Sequence, residues 1–260
     1  MFMATLVNFN DTNKLLLTKK PELFIDLASK DWIASANKSI RQQGAFYVAL
    51  SGGRTPLEIF KDIVTNKEKL SDPTKIFLFW GDERNVPHTS SESNYGQAMS
   101  ILRELDIPEE QIFRMETENP NGARKYQNLI ESTVPEVSFD MVMLGLGEDG
   151  HTLSLFPNTQ ALNEHERLVV FNEVPQLETE RMTLTLPVVH KAKHVVVYVQ
   201  GENKKAIVKS IFFPEDKKAQ SYPIELIGQA RTPLFWILAA DAYDLKDFDQ
   251  ISSLYKLDII

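Results

Sequence analysis

The 260-residue sequence contains no cysteine. That absence excludes a disulfide framework and any zinc or iron–sulfur site built on cysteine ligands. It is compatible with a reducing compartment. Basic residues are in the minority: 28 Lys and Arg stand against 36 Asp and Glu, a formal net charge of −8. Such a chain is a poor nucleic-acid coat, because phosphate contacts need clustered Lys and Arg. Long apolar runs are missing too. The longest are strand-sized, far short of the roughly 18 residues that suggest a membrane span. The opening MFMATLVNFND has no basic start and no extended apolar stretch, so no secretory signal is readable. The N-x-S/T triplets at Asn10 and Asn37 then carry no glycosylation meaning. The expectation is a cytoplasmic protein with neither membrane nor nucleic-acid partners, a monomer or a small homo-oligomer.

What is present is a substantial apolar fraction, 43%, enough for a real core. Short runs rich in β-formers occur at Phe46 to Leu50, Ile76 to Trp80, Met141 to Leu144, Val195 to Val199 and Leu234 to Ala239. Most are apolar almost throughout, the pattern of strands covered on both faces in a parallel sheet. Segments of helical spacing lie between them: Pro21 to Gln43 before a capping Gly44, the stretch after Pro56, Ser93 to Leu105, and Glu202 to Phe212. The alternation predicts an α/β fold, a Rossmann-like and mostly parallel sheet with helices on both faces. Residues 89–94, 116–122 and 214–223 read as irregular surface segments. No break in composition marks a boundary, so one domain over residues 1–260 is expected.

In open α/β sheets, ligands bind beyond the carboxyl ends of the strands. Those ends carry the unusual residues here: Ser51-Gly52-Gly53-Arg54-Thr55-Pro56, Gly81-Asp82-Glu83-Arg84, Gly145 to Thr152, and Gln200 to Lys204. The fold would bring them to one edge. In the Ser51 turn, paired glycines let backbone approach an anion, Thr55 can cap the next helix, and Pro56 suits its first position. The turn reads as a phosphate cradle or as a plain strand-to-helix turn. It is not a Walker A loop, since no GK[ST] follows.

Gly145, Gly147 and Gly150 match G-x-G-x-x-G in form only. Pro157 leaves too little room for the long helix of a dinucleotide site, and Glu148 and Asp149 would repel a pyrophosphate. The loop instead presents Asp149 and His151. A carboxylate beside a histidine suits a general base with its orienting partner. A packed histidine, a capping carboxylate and a metal pair are the other readings, and no H-E-x-x-H or comparable cluster supports the metal. His88, His165, His190 and His194 lie in no motif and suit surface or packing roles. Without cysteine and without a G-x-S-x-G elbow, a base-activated water is better supported than a covalent intermediate.

Taken in order, SGGRTP, WGDERNVP, SNYGQAM, LGLGEDGHTLSLFP, RMTLTLP and QGENKKAIV resemble the glucosamine-6-phosphate isomerase/6-phosphogluconolactonase family, and within it the lactonase branch. The resemblance runs from Ser51 to about Lys205. It implies hydrolysis of 6-phospho-D-glucono-1,5-lactone to 6-phosphogluconate in the oxidative pentose phosphate pathway, with no nucleotide, no metal and no other cofactor. It implies His151 as the base that activates water, Asp149 as its support, and Arg84 facing the substrate and the developing oxyanion. Arg181 and Lys204 would take the phosphate, with backbone N–H groups of the Ser51-Gly52-Gly53 turn. Arg54 and Thr55 adjoin that turn, and Asp82 belongs to the same substrate-side set without an assigned role. The deaminase branch is the alternative. Its pattern asks for an acidic residue just before the proline of the loop, where this sequence has Phe156.

Overall fold

The computed structural model describes residues 4–214, 221–228, 233–244, 246–248 and 257–258. Its strands are β1 (Ala4–Asn10), β2 (Asn13–Thr18), β3 (Phe46–Leu50), β4 (Ile76–Trp80), β5 (Asp82–Arg84), β6 (Ile112–Phe113), β7 (Met141–Leu144), β8 (Val169–Val174), β9 (Thr179–Leu184), β10 (Val195–Val199), β11 (Leu234–Leu238) and β12 (Leu257–Asp258). Its α-helices are α1 (Pro21–Gln43), α2 (Arg54–Thr65), α3 (Asn94–Leu102), α4 (Gly122–Thr133), α5 (Leu186–Val189), α6 (Lys205–Phe212) and α7 (Pro223–Ile227).

The large sheet has the order β12-β1-β2-β11-β10-β7-β3-β4-β6, and β5, β9 and β8 form a second, antiparallel sheet. From β2 to β6 every neighbouring pair in the large sheet is parallel. All residues of β7 and β10 are buried, so both faces of the sheet are covered. That burial is why these strands read as unbroken apolar runs. The chain builds outward from β3 through β4 to β6, then returns to the other side of β3 as β7, β10 and β11. The order therefore reverses between β3 and β7, and the crevice beyond their carboxyl ends is where a doubly wound sheet binds ligands.

The core locks the helices onto this frame. Trp32 of α1 is fully buried and packs edge-on against Phe46 of β3, with ring centroids 5.2 Å apart. Such a pair adds about 0.5–1.5 kcal/mol beyond the area it buries. Gly44 closes α1 in the left-handed conformation (φ 84°), its N–H donating to Ile40 O at 2.9 Å, as its sequence position predicts.

Some elements differ from the expectation. The segment Ser93 to Leu105 is an α-helix only to Leu102. Ser93 caps it through Oγ, and a 3-10 turn finishes it at Leu105 before Asp106 takes φ 55°. The segment Glu202 to Phe212 likewise opens as a 3-10 turn before α6. Hairpin β1–β2 and helix α4 carry too few consecutive apolar residues to announce themselves. Of the irregular stretch 214–223, residues 215–220 lie outside the described residues. No helix among the described residues is long and apolar enough to cross a membrane.

Candidate active site

The crevice beyond β3 and β7 holds a cavity of about 300 Å³. Ser51, Gly52, Gly53, Asp82, Arg84, His151, Arg181 and Lys204 line it, as do Asn94, Thr152, Ser154, Phe156 and Leu177. Expected site residues from both sheets thus meet in one place. A larger cavity of about 500 Å³ lies between Pro157 to Asn163 and Ser221 to Leu226, but no charged side chain lines it.

The first wall is the turn after β3. Gly53 takes φ 99°, ψ 176°, which lets α2 begin at Arg54. Left-handed φ at this point costs glycine little and a side-chain-bearing residue much more. The expectation that Thr55 caps this helix and Pro56 opens it is corrected. Gly53 occupies the cap position, Arg54 is the first helical residue, and no side chain caps the end. The free N–H groups of this helix start still favour an anion. Arg54 and Thr55 do not line the cavity. Arg54 is near enough for its charge to oppose protonation of Lys204.

The second wall is β5, entered directly from β4. Asp82 is buried, accepts from Ser154 Oγ at 2.6 Å, and its backbone oxygen accepts from Asn94 Nδ2 at 2.9 Å. Glu83 points the other way and is also buried. Its carboxylate accepts from the backbone N–H of Arg84 (2.8 Å), Asn94 (2.7 Å) and Tyr95 (2.8 Å), and from Ser93 Oγ (3.0 Å). Burial raises its pKa despite those donors. An anion at the start of α3 is well placed against the helix dipole. It fixes the backbone on either side of Asn94 and Arg84.

Arg84 stands directly opposite Arg181 in the β5–β9 register. Arg84 Nη1 donates to Glu92 O at 2.8 Å, while Arg84 Nε and Arg181 Nε are buried without a protein partner. Burial lowers the Arg181 pKa, the Arg84 charge adds to that, and the Asp82 and Glu83 carboxylates oppose it. Lys204, from the turn after β10, is similarly lowered by burial, against the pull of Glu148 and Asp149. Positive groups gathered and partly desolvated in this way suit an anion.

The third wall is the loop after β7. His151 Nδ1 and Asp149 Oδ1 lie 2.5 Å apart, and Asp149 Oδ1 also accepts from His151 N at 3.1 Å. A carboxylate at Nδ1 favours the ring proton there and leaves the Nε2 lone pair able to accept a proton. The imidazole stacks on Phe156, with centroids 4.0 Å apart and planes 23° apart. Gly147 also lies against the pair, and a Cβ there would overlap His151 Nδ1 and Asp149 Oδ1. Asp149 itself does not line the cavity; it backs the histidine that does. Asn203 Nδ2 donates to Glu148 at 2.6 Å and ties this loop to the turn carrying Lys204. Among the described residues no group of three or more His, Asp or Glu could hold a metal.

Sequence reasoning did not single out Asn94, Ser154 or Leu177 as site residues. Asn94 lay within a recognised segment, but nothing in the sequence shows that its amide reaches β5.

Fold and site together define an α/β protein with a cationic crevice and a His–carboxylate pair at its switch point. Residues 19–236 match the family model for glucosamine-6-phosphate isomerases/6-phosphogluconolactonase, and the chain belongs to that family. It is 75% identical to a Chlamydia pneumoniae protein named 6-phosphogluconolactonase over 258 residues, covering 99% of this chain and 100% of that one. A Chlamydia trachomatis protein of the same name is 52% identical over 257 residues, covering 99% and 100%. The solved 6-phosphogluconolactonase of Trypanosoma brucei superposes with a TM-score of 0.76 at 25% identity, covering 92% of this chain and 98% of that one.

Proposed function

We propose that this chain hydrolyses 6-phospho-D-glucono-1,5-lactone to 6-phosphogluconate at this cavity, using water activated by His151. The observation that carries the reading is the His151–Asp149 pair beside the gathered cations of Arg84, Arg181 and Lys204. The names of its full-length relatives support the same substrate. The same reading treats the chain as one domain, because the cavity draws its walls from both sheets. It also places the enzyme in the cytoplasm.

The chemistry asks little of the protein. Arg181, Lys204 and the N–H groups of the Ser51 turn take the phosphate. That anchor is remote from the reacting carbon, and its binding energy orients the ring. His151 Nε2 removes a proton from water as the oxygen bonds to the lactone carbonyl carbon. The carbonyl oxygen becomes an oxyanion, held by the Arg84 guanidinium. Asp149 supports the imidazolium. The tetrahedral intermediate then re-forms the carbonyl, the ring C–O bond breaks, and the imidazolium returns its proton to the departing oxygen. Phe156 cannot transfer a proton, which disfavours the amine chemistry of the deaminase branch.

The test is lactone decay above the spontaneous rate, run beside ammonia release from glucosamine 6-phosphate. Accelerated decay without ammonia is expected. Ammonia release with no effect on the lactone would overturn the reading.

A further inference from the structure

Leu177 is the exposed large hydrophobic side chain among the described residues, at 50% exposure. A lone surface leucine is ordinary. This one lines the cavity mouth, in a chain that covers its other large apolar side chains among the described residues. It ends the 3-10 turn Pro175–Leu177 between β8 and β9, and Glu178 reverses the chain at φ 48°. The strand that follows delivers Arg181 to the same cavity. Leu146, Leu153 and Phe156 supply further apolar lining, and each is buried. The cavity therefore has apolar lining as well as charged groups, and Leu177 is the part of that lining left open.

A pyranose-type lactone is matched to such a site. Its phosphate and hydroxyls call for charges and hydrogen bonds, while its ring presents C–H groups that gain from apolar cover. We propose that Leu177 is a substrate-binding residue that covers the C–H face of the lactone ring at the cavity mouth. The inference rests on the proposed lactone reading. Leu177 touches no reacting atom, so its contribution is to binding, equal in ground and transition states. Covering the exposed half of a leucine is worth about fourfold to tenfold in affinity.

The test compares Leu177→Ser and Leu177→Met with the parent protein. Readouts are KM for the lactone and calorimetric Kd values for two probes. One probe is 1,5-anhydroglucitol 6-phosphate, which keeps the ring; the other is inorganic phosphate. Leu177→Ser should raise KM and the ring-probe Kd about fivefold. It should leave the phosphate Kd within about twofold, and Leu177→Met should restore both ring values. A surface substitution of this kind leaves the fold intact. An active parent with unchanged KM and ring-probe Kd in Leu177→Ser would overturn the proposal. So would an equal loss for inorganic phosphate, which would mean action through Arg181. A changed association state by light scattering would overturn it too, by giving Leu177 to a contact between copies. If the parent shows no lactone hydrolysis, the functional reading fails instead, and the two probes still decide the role of Leu177.

Discussion

Arg84 and Arg181 face each other across an antiparallel strand pair and line the wall of one cavity. Like charges directly opposite in a sheet are destabilising. Asp82 and Glu83 offset part of the repulsion, since both favour the charged form of Arg181. Neither covers the buried Nε atoms. On the lactonase reading, an arrangement unfavourable in the empty protein becomes favourable when the substrate brings negative charge to both groups, its phosphate to Arg181 and its developing oxyanion to Arg84.

Arg181→Ala is therefore expected to raise KM for the lactone about 10- to 100-fold, the worth of one charge-assisted contact. Without ligand, its thermal stability should fall by no more than about 0.5 kcal/mol, because a repulsive neighbour goes with it. Added phosphate should raise the Tm of the parent clearly and of the variant little. Equal phosphate-induced shifts in both proteins would show that Arg181 is not an anion ligand.

His151 and Asp149 should separate by kinetics rather than by binding. His151→Ala is expected to lower kcat about 10²- to 10⁴-fold while leaving phosphate affinity close to that of the parent. Asp149→Asn should lose at least about tenfold in kcat, since the neutral amide supports the imidazolium poorly. The measurement is initial-rate kinetics with the spontaneous decay subtracted. Near-parental turnover in His151→Ala would remove the base assignment.

Lys204 makes a pH prediction whose sign can be worked out. Burial lowers its pKa from the ordinary 10.5. Between the folded value and 10.5 the unfolded chain binds the extra proton, so this residue's contribution to stability rises with pH across that window. Anion binding runs the opposite way, complete below the folded value and fading as the ammonium loses its proton. Phosphate affinity of the parent should weaken on this alkaline limb. Lys204→Arg stays charged and should bind with a flatter profile. Calorimetric titration across the alkaline range distinguishes the two, and identical profiles would show that Lys204 does not hold the anion.

The site was largely legible in the sequence because the central strands are buried on both faces. An unbroken apolar run announces its own end, and the polar residues beyond that end must lie at the sheet edge. This found the Ser51 turn, the Asp82 turn, the His151 loop and Lys204 without any long-range information. The facing of Arg84 and Arg181 was not legible, because strand register between distant segments leaves no local trace. The start of α2 was misread at Thr55 because capping preference favours threonine, whereas the φ of Gly53 sets the boundary. Leu177 was invisible for the converse reason. A leucine in sequence reads as core, and only the fold shows it standing open at the cavity mouth.

Gly147 offers the sharpest check on how the base is held. His151 is confined by Asp149 at Nδ1, by Phe156 stacked on its ring, and by Gly147, which leaves no room for a side chain beside the pair. The Gly147 N–H also donates to His151 O at 2.8 Å, closing the loop on itself. A methyl group at 147 would occupy space now filled by His151 Nδ1 and Asp149 Oδ1, so the pair must separate. Gly147→Ala should then lower kcat about 10²-fold, much as a small misplacement of a catalytic group does. Phosphate affinity should change little, because Arg181 and Lys204 stand on other elements. The loss should resemble that of Asp149→Asn, and combining the two substitutions should cost much less than the product of the single effects. Kinetics on the single and double variants measure this coupling. Multiplicative losses would mean that Gly147 acts on something other than the histidine–aspartate pair.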